Sequence, residues 1–345
     1  MKSMKLTALR QMEMVEVEKP SITADTDVLV KMERVGICGS DVHYFTEGAI
    51  GNQIVEFPFT IGHEGSGIVE EVGAAVKHVK PGDRIAFDPA MSCFACDQCL
   101  SGRPHTCTNQ KFMGCPGQSE GCLSEWIVLP EESCYPIPAS LSFDEAAIVE
   151  PLSIGVYAVS LSIPMPGAKV GILGAGPIGL SVLLPAKAQG ASAIYITDKI
   201  DARLAVARKA GSDWAGNPDT EDIVAEVKKL EPNGLDVVFE CTGEQDAMDQ
   251  ALLLLKPGGK LLLIGIPGAK NRVSFDINQL RRKEIVIQNV RRQNGCVQPS
   301  IDMIAGNAFD VNVMVTHHFP FADTKEAFDL VAGYQDGVVK AMVVF

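Results

Sequence analysis

Short apolar runs alternate with turn-forming clusters along the first 150 residues. The runs at residues 28–30, 67–69 and 84–87 contain valine, isoleucine, leucine or phenylalanine, and a Lys-Pro-Gly-Asp cluster at residues 80–83 precedes the last of them. Apolar, β-branched runs bounded by Pro and Gly clusters are typical of strands joined by turns. This part of the chain therefore predicts a compact, mainly β domain whose loops carry function.

The pattern changes near Pro151, after which runs of strand length alternate with helical segments. Such an alternation indicates a doubly wound parallel sheet. A bend or an early break is expected at Pro185, because proline removes a hydrogen bond inside a helix. After residue 292 the regularity weakens, and the remaining chain is a candidate for packing on the first domain. The predicted strands are residues 170–173, 194–197, 236–240, 260–266 and 284–288, and the predicted helices are residues 177–189, 201–210 and 245–255.

Length, composition and charge bound the class of protein. A chain of 345 residues with 46% hydrophobic and 21% charged residues is expected to form two globular domains. The formal net charge of −13 disfavours nucleic acid and anionic membranes as partners. The N-terminal residues lack a secretory pattern, and no apolar run reaches the about 20 residues of a membrane helix. We therefore expect a soluble, cytoplasmic protein with reduced cysteines.

Residues 174–179 read Gly-Ala-Gly-Pro-Ile-Gly between a predicted strand and a predicted helix. Gly174 permits a tight turn, Gly176 lets backbone amides approach a pyrophosphate, and Gly179 lets the helix pack closely on the strand. Asp198 ends the next strand, where a carboxylate accepts hydrogen bonds from ribose hydroxyls and repels a 2′-phosphate. A plainer interpretation makes Asp198 a cap for the helix that follows. Together these features predict NAD binding.

Four cysteines lie within one short segment, with the spacing C-x2-C-x2-C-x7-C at Cys93, Cys96, Cys99 and Cys107. Four thiolates satisfy tetrahedral zinc and leave no open position, which is typical of a structural site. An iron–sulfur cluster requires different spacings, and a nucleic-acid-binding knuckle requires a basic, aromatic surface that this segment lacks. The segment therefore predicts a structural zinc site.

A second set of metal-ligating residue types is scattered along the first domain. It consists of Cys38, the adjacent His63 and Glu64, and Glu150. Each residue taken alone has an ordinary structural interpretation, such as a buried thiol or a turn. Taken with a dinucleotide domain, one sulfur, one imidazole and one or two carboxylates predict a zinc site with a position open for water or substrate oxygen.

At these residues the chain resembles the zinc-containing medium-chain dehydrogenase/reductase family, and within it the sorbitol/xylitol (polyol) dehydrogenase branch. The segments that carry the resemblance are residues 36–44, 61–67, 79–86, 148–155, 171–180, 240–243 and 290–292. The resemblance implies an α/β fold with a GroES-like, mainly β catalytic domain over residues 1–152 and 293–345. It also implies a Rossmann NAD-binding domain over residues 153–292.

The resemblance also implies a set of site residues. It makes Cys38, His63 and Glu64 ligands of a catalytic zinc, with Glu150 either the fourth ligand or a partner of the zinc-bound water. Simple alcohol dehydrogenases of the family have a cysteine where Glu150 stands, whereas the polyol branch has a carboxylate. The polyol branch often has tyrosine where Arg292 stands. The residues expected to line the cofactor are Gly174, Gly176, Ile178, Gly179, Asp198, Arg203, Ile264, Gly265, Ile266, Val290, Arg291 and Arg292, and those expected near the substrate are Ser40, Tyr44, Phe112 and Arg291.

The predicted reaction is zinc-dependent hydride transfer from a secondary hydroxyl of a polyol to NAD, which yields a ketose. Two zinc ions per chain, one catalytic and one structural, and a homodimer or homotetramer are expected. Ser40 and His43 are candidates for relaying the hydroxyl proton, although a plain helix-surface role for His43 stays open. The alternatives are a threonine or other secondary-alcohol dehydrogenase of the same family, a zinc-free reductase of the same superfamily, and a non-catalytic NAD-binding protein.

Overall fold

The computed structural model describes residues 1–267 and 272–345. Contacts between residues divide the chain into two units. The first comprises Met1–Glu150, Val297–Asn307 and Val315–Phe345, and the second comprises Pro151–Cys296 and Ala308–Met314. None of the helices described in these ranges has the length and apolar character needed to cross a membrane.

The strands of the described residues follow in chain order. They are β1 (Lys2–Ala8), β2 (Gln11–Glu16), β3 (Asp27–Gly36), β4 (Ala49–Ile50), β5 (Gln53–Ile54), β6 (Glu64–Val72), β7 (Arg84–Phe87), β8 (Ala90–Met91), β9 (Lys111–Phe112), β10 (Trp126–Pro130), β11 (Cys134–Pro136), β12 (Lys169–Leu173), β13 (Ala193–Thr197), β14 (Trp214–Gly216), β15 (Leu235–Glu240), β16 (Leu255–Leu263), β17 (Val286–Asn289), β18 (Val315–Pro320) and β19 (Lys340–Val344).

The α-helices of the same residues connect or flank these strands. They are α1 (Gly39–Glu47), α2 (Asp97–Leu100), α3 (Phe143–Ser160), α4 (Pro177–Ala188), α5 (Asp201–Ala210), α6 (Ile223–Leu230), α7 (Gln245–Leu254), α8 (Ile277–Lys283), α9 (Val297–Ala305) and α10 (Thr324–Ala332).

The main sheet of the first unit has the strand order β11-β7-β6-β3-β19-β18, and β10 also pairs with β3. Strand β3 is antiparallel to both β6 and β19. At its end, Gly36 pairs with Glu64 of β6 on one side and with Met342 of β19 on the other. Three distant parts of the chain therefore meet at Gly36, two residues before Cys38. The expected mainly β domain is confirmed.

The second unit contains a six-stranded sheet with the order β14-β13-β12-β15-β16-β17, in which every pairing is parallel. The order reverses at β12, which is the defining feature of a doubly wound sheet and confirms the predicted Rossmann architecture. Buried strands such as β12 and β15 are almost continuously apolar, as expected for a sheet covered on both faces. The short β14 and the helices α6 and α8 were not among the predicted elements.

The break expected at Pro185 does not occur, because α4 continues from Pro177 to Ala188. Pro185 has no N–H to donate to the carbonyl oxygen of Ser181, four residues earlier. That oxygen lies against Gly155 of α3, where an added Cβ would come within 1.9 Å of it. The close approach of Gly155 gives the carbonyl oxygen a Cα–H neighbour in place of the missing N–H.

Candidate active site

Cys38 lies where β3 has ended and α1 begins, at the N-cap position of that helix. Its backbone N–H donates to Oδ2 of Asp41 at 3.2 Å, which holds the first turn in a capping box. Its sulfur accepts a hydrogen bond from the Ser40 hydroxyl at 3.3 Å. The helix start therefore fixes the position of the Cys38 thiol.

His63 is 5% exposed and lies directly before β6. Its Nδ1 is 3.2 Å from Oδ1 of Asp41, and the same oxygen accepts the N–H of Gly62 at 3.1 Å. The ring centroid lies 5.2 Å from that of Phe112. A carboxylate on Nδ1 orients the imidazole so that Nε2 is available as a metal ligand.

One ligand atom from each of Cys38, His63 and Glu64 lies within 4.8 Å of the other two. Glu64 opens β6 and is 1% exposed, and Glu150 of α3 is 8% exposed but is not a member of this group at the same separation. Sulfur, imidazole nitrogen and carboxylate oxygen at this spacing are suitable zinc ligands. Three of the four predicted ligands, Cys38, His63 and Glu64, are therefore brought together within one unit.

The electrostatics of this cluster favour a bound cation. Burial alone lowers the pKa of His63, but Asp41 and Cys38 raise it well above the ordinary value. Burial raises the pKa of Glu150 to about 8, with the charge of Glu64 adding to the rise and that of His63 opposing it. Both shifts mean that a buried, negatively charged site retains protons. A divalent metal ion supplies the positive charge that such a donor set requires.

The sulfur atoms of the four-cysteine segment also lie close together. The sulfur of Cys107 lies 3.4 Å from that of Cys93 and 3.8 Å from that of Cys96, and Cys96 lies 3.6 Å from Cys99. Backbone hydrogen bonds from Cys99 and Thr108 lower the pKa of Cys96 to about 5, which favours a thiolate. All ten cysteines of the chain are free of disulfides. This arrangement fits a tetrahedral structural zinc.

The glycine turn of the second unit has the geometry of a phosphate-binding turn. Gly174 has a φ of +102°, and a Cβ added to Gly179 would come within 1.8 Å of the Gly174 carbonyl oxygen. Asp198 accepts the N–H of Ala175 at 2.8 Å through Oδ2 and the N–H of Ile200 at 2.9 Å through Oδ1. Asp198 therefore holds the glycine turn and the start of the next segment, in addition to any contact with a ribose.

Glu240 is the last residue of β15 and is fully buried, and its hydrogen bonds connect the end of this strand to the segment that follows β16. Its backbone oxygen accepts the N–H groups of Ile264 and Gly265, and its Oε1 accepts those of Thr242 and Gly243. Burial raises the pKa of this carboxyl, while the bonds from Thr242 oppose the rise. Glu240 therefore holds the segment in which Ile264, Gly265 and Ile266 were predicted to line the cofactor.

The remaining predicted site residues have mixed surroundings. Nδ1 of His43 lies 3.0 Å from Oε1 of Glu47 on the same helix. This contact is the one expected if His43 is an ordinary polar residue on the helix surface. The Tyr44 hydroxyl donates to Oε1 of Gln53 at 3.2 Å, and Tyr44 is 4% exposed. Arg292 has a φ of +51°, in the left-handed region. A substrate role for Tyr44, Phe112 and Arg291 stays a prediction, as does the cofactor role of Ile178, Arg203, Val290, Arg291 and Arg292.

Three residues that hold the site were absent from the prediction, namely Asp41, Glu240 and Lys340. Asp41 was within reach of sequence reasoning, because it stands three residues after Cys38 in the pattern of a capping box. Lys340 opens an otherwise apolar strand at the C-terminus, and its partner Glu64 is distant in sequence. A lone charge at the head of an apolar strand was the available signal for it.

A zinc-ligand set and a dinucleotide-binding domain in one chain define a zinc-dependent, nicotinamide-linked dehydrogenase. Family models match as "Alcohol dehydrogenase GroES-like domain" over residues 24–139 and "Zinc-binding dehydrogenase" over residues 177–306. The sorbitol dehydrogenase of Bacillus subtilis (strain 168) is 34% identical over 344 residues, which cover 99% of this chain and 97% of the relative. The L-idonate 5-dehydrogenase of Vitis vinifera is 36% identical over 310 residues, covering 88% and 84%.

Solved structures agree with this grouping. An oxidoreductase/dehydrogenase of unknown specificity from Escherichia coli has a TM-score of 0.93 at 32% identity, covering 99% of this chain and 98% of that one. A candidate zinc-binding dehydrogenase of Sinorhizobium meliloti 1021, bound to NADP, has a TM-score of 0.91 at 29% identity, covering 100% and 99%. The chain belongs to the zinc-containing medium-chain dehydrogenase/reductase family. Within it, the chain falls in the polyol dehydrogenase branch, as the resemblance implied.

Proposed function

We propose that this dehydrogenase oxidises a secondary hydroxyl of a polyol, such as sorbitol, xylitol or iditol, to a ketose with NAD as the hydride acceptor. The observation that carries the proposal is the close set of the partly buried Cys38 and the buried His63 and Glu64, with the second carboxylate of Glu150 on α3. Relatives named sorbitol dehydrogenase and L-idonate 5-dehydrogenase support the substrate class.

In this proposal Cys38, His63 and Glu64 hold the catalytic zinc, and the Asp41 carboxylate orients the His63 ring through its contact with Nδ1. When bound, zinc polarises the substrate hydroxyl and lowers its pKa, and the nicotinamide ring accepts the hydride. Glu150 holds a water or a neighbouring substrate hydroxyl by hydrogen bonding. The Ser40 hydroxyl donates to the Cys38 sulfur at 3.3 Å, and in this proposal it takes and passes on the substrate proton.

Polyols are expected to be much better substrates than simple alcohols. A substrate without a second hydroxyl cannot hydrogen-bond the polar groups that would receive that hydroxyl, at about 1–3 kcal/mol each, which lowers kcat/KM roughly 5- to 150-fold per group. The measurement compares kcat/KM for sorbitol, xylitol, 2-propanol, ethanol and threonine at saturating NAD. Sorbitol or xylitol should exceed ethanol by at least one such factor.

The other outcomes identify the alternatives. If ethanol or 2-propanol equals the polyols, the pocket is apolar and the polyol assignment is wrong. A preference for threonine places the chain in the amino-acid branch of the family. If no substrate in the panel reduces NAD although zinc is present, a non-catalytic NAD-binding role replaces the proposed reaction.

The coenzyme preference is expected to depend on the charge of Asp198. A carboxylate facing the 2′-phosphate of NADP places two negative charges close together, so wild-type enzyme should prefer NAD. Asp198→Asn keeps an oxygen that can accept the Ala175 N–H but removes the charge. We expect the ratio of kcat/KM for NAD over NADP to fall by about 10-fold or more in this variant.

Asp213→Asn is the matched control, because Asp213 also accepts a backbone N–H at 2.8 Å, from Ile194 near the start of β13. Its coenzyme ratio should equal that of the wild type. Equal use of both coenzymes by wild-type enzyme would contradict the role of Asp198, and would direct attention to Arg203, whose guanidinium lies near Gly176.

A further inference from the structure

A fully buried lysine contacts the proposed catalytic zinc site from the C-terminal strand. Lys340, the first residue of β19, is 1% exposed. Its Nζ donates to the carbonyl oxygen of Ile37 at 3.0 Å and to Oε2 of Glu64. Ile37 directly precedes Cys38, so a single ammonium group contacts the backbone beside one proposed zinc ligand and the side chain of another.

The sheet explains how this lysine reaches Glu64. Gly36 of β3 is flanked by Glu64 of β6 and by Met342 of β19. An added Cβ at Gly36 would lie 2.6 Å from Oε2 of Glu64 and 3.4 Å from Cδ of Lys340. The absence of a side chain at Gly36 therefore provides the space in which the carboxylate and the lysine meet.

Stability alone is a weak explanation for this pair. Desolvation of two charges offsets much of their attraction, and apolar residues of similar volume are often as stabilising as a buried ion pair. The pair therefore holds one carboxylate oxygen in a defined place, which an apolar pair does not do.

We propose that Lys340 is a positioning residue that occupies Oε2 of Glu64, so that Glu64 offers the catalytic zinc only its other oxygen. This inference rests on the zinc site of the proposed function and selects Glu64 over Glu150 as the carboxylate ligand. With a single oxygen from Glu64, one coordination position stays open for the substrate hydroxyl. Lys340 thereby preserves the open position while its charge balances that of the carboxylate.

The test replaces Lys340 by methionine, which is similar in length but has no charge and no donor. Without the lysine, both oxygens of Glu64 become available to the metal and a nearby positive charge is lost. We expect the variant to retain zinc at least as tightly as wild type against a chelator. We also expect the visible absorption spectrum of the cobalt(II)-substituted protein to change, and kcat/KM for sorbitol to fall about 10- to 100-fold.

Lys325→Met is the matched control, because Lys325 is an exposed lysine of α10 that pairs with Asp329. Its cobalt spectrum, zinc retention and turnover should equal those of wild type. Gly36→Ala pushes on Oε2 of Glu64 while Lys340 remains, and should change the cobalt spectrum as well. This second variant keeps the proposal testable if Lys340→Met does not fold.

Two results would overturn the proposal. One is an unchanged cobalt spectrum and turnover in both Lys340→Met and Gly36→Ala, even if the melting temperature falls, because this describes a purely structural ion pair. The other is faster loss of the catalytic zinc from Lys340→Met than from wild type. If wild-type enzyme oxidises no polyol, the proposed function fails, whereas the cobalt spectra still decide the role of Lys340.

Discussion

Replacing Cys38 by serine is expected to abolish turnover while leaving the fold intact. A serine hydroxyl is not ionised near neutral pH and is a poor zinc ligand, whereas cysteine binds as the thiolate. The loss of Lewis-acid stabilisation, worth several kcal/mol, corresponds to at least a roughly 1000-fold fall in kcat/KM for the best polyol. Elemental analysis should find one zinc ion per chain in the variant and two in the wild type.

The position of Cys38 makes this substitution a clean test. Cys38 is the N-cap residue of α1, and serine is among the preferred residues at that position. The start of the helix and the Asp41 capping contact should therefore survive, and the melting temperature should stay close to that of wild type. Two zinc ions per chain, with turnover within about 10-fold of wild type, would exclude Cys38 as a catalytic ligand.

The fold of the second unit was predictable because its signals are local. Each buried parallel strand is a short apolar run, and Asp201–Ala210, for example, was predicted with both ends correct. The continuation of α4 past Pro185 has a tertiary cause, since the Ser181 carbonyl oxygen lies against Gly155 on another helix. The three-residue β14 is too short to show a period in the sequence.

The two metal sites also differ in how far local sequence patterns predict them. The four cysteines are close in sequence, so their spacing alone predicted that they cluster. Cys38, His63 and Glu64 were grouped by residue type and by the resemblance to a family rather than by spacing, because only the pairing of β3 with β6 brings them together. Lys340 is 303 residues from Ile37, the residue whose carbonyl it contacts, and no local pattern encodes that contact.

Burial of charge links these observations. Asp41, Glu64 and Lys340 are each at most 1% exposed, and each holds or completes the arrangement around Cys38 and His63. Charged groups are rarely buried without partners, because desolvation is costly. The region around Gly36 thus combines a high density of buried charge with a precise set of contacts, which is the combination expected of a preorganised metal site.

Replacing Cys96 by serine is expected to have the opposite effect from Cys38→Ser, with stability reduced and turnover kept. A closed four-thiolate site contributes directly to folding, because its ligands are brought together only when zinc is bound. We expect one zinc ion per chain and a melting temperature lower by roughly 5–10 °C, which corresponds to a loss of a few kcal/mol. Per folded molecule, kcat/KM should stay within about 3-fold of wild type, because no ligand of the catalytic set is touched.

Local opening of the cysteine segment gives an independent measurement. Phe94 and Leu100 are 55% and 76% exposed, and they flank Cys96 and Cys99, so chymotrypsin cleavage at these two residues reports whether the segment is held rigid. Cleavage should be faster in Cys96→Ser. Cys134→Ser is the control, because Cys134 is a buried cysteine of β11 outside both ligand sets. The Cys134→Ser variant should retain two zinc ions and wild-type cleavage. If Cys96→Ser instead loses stability while keeping both zinc ions, the four cysteines do not hold a metal.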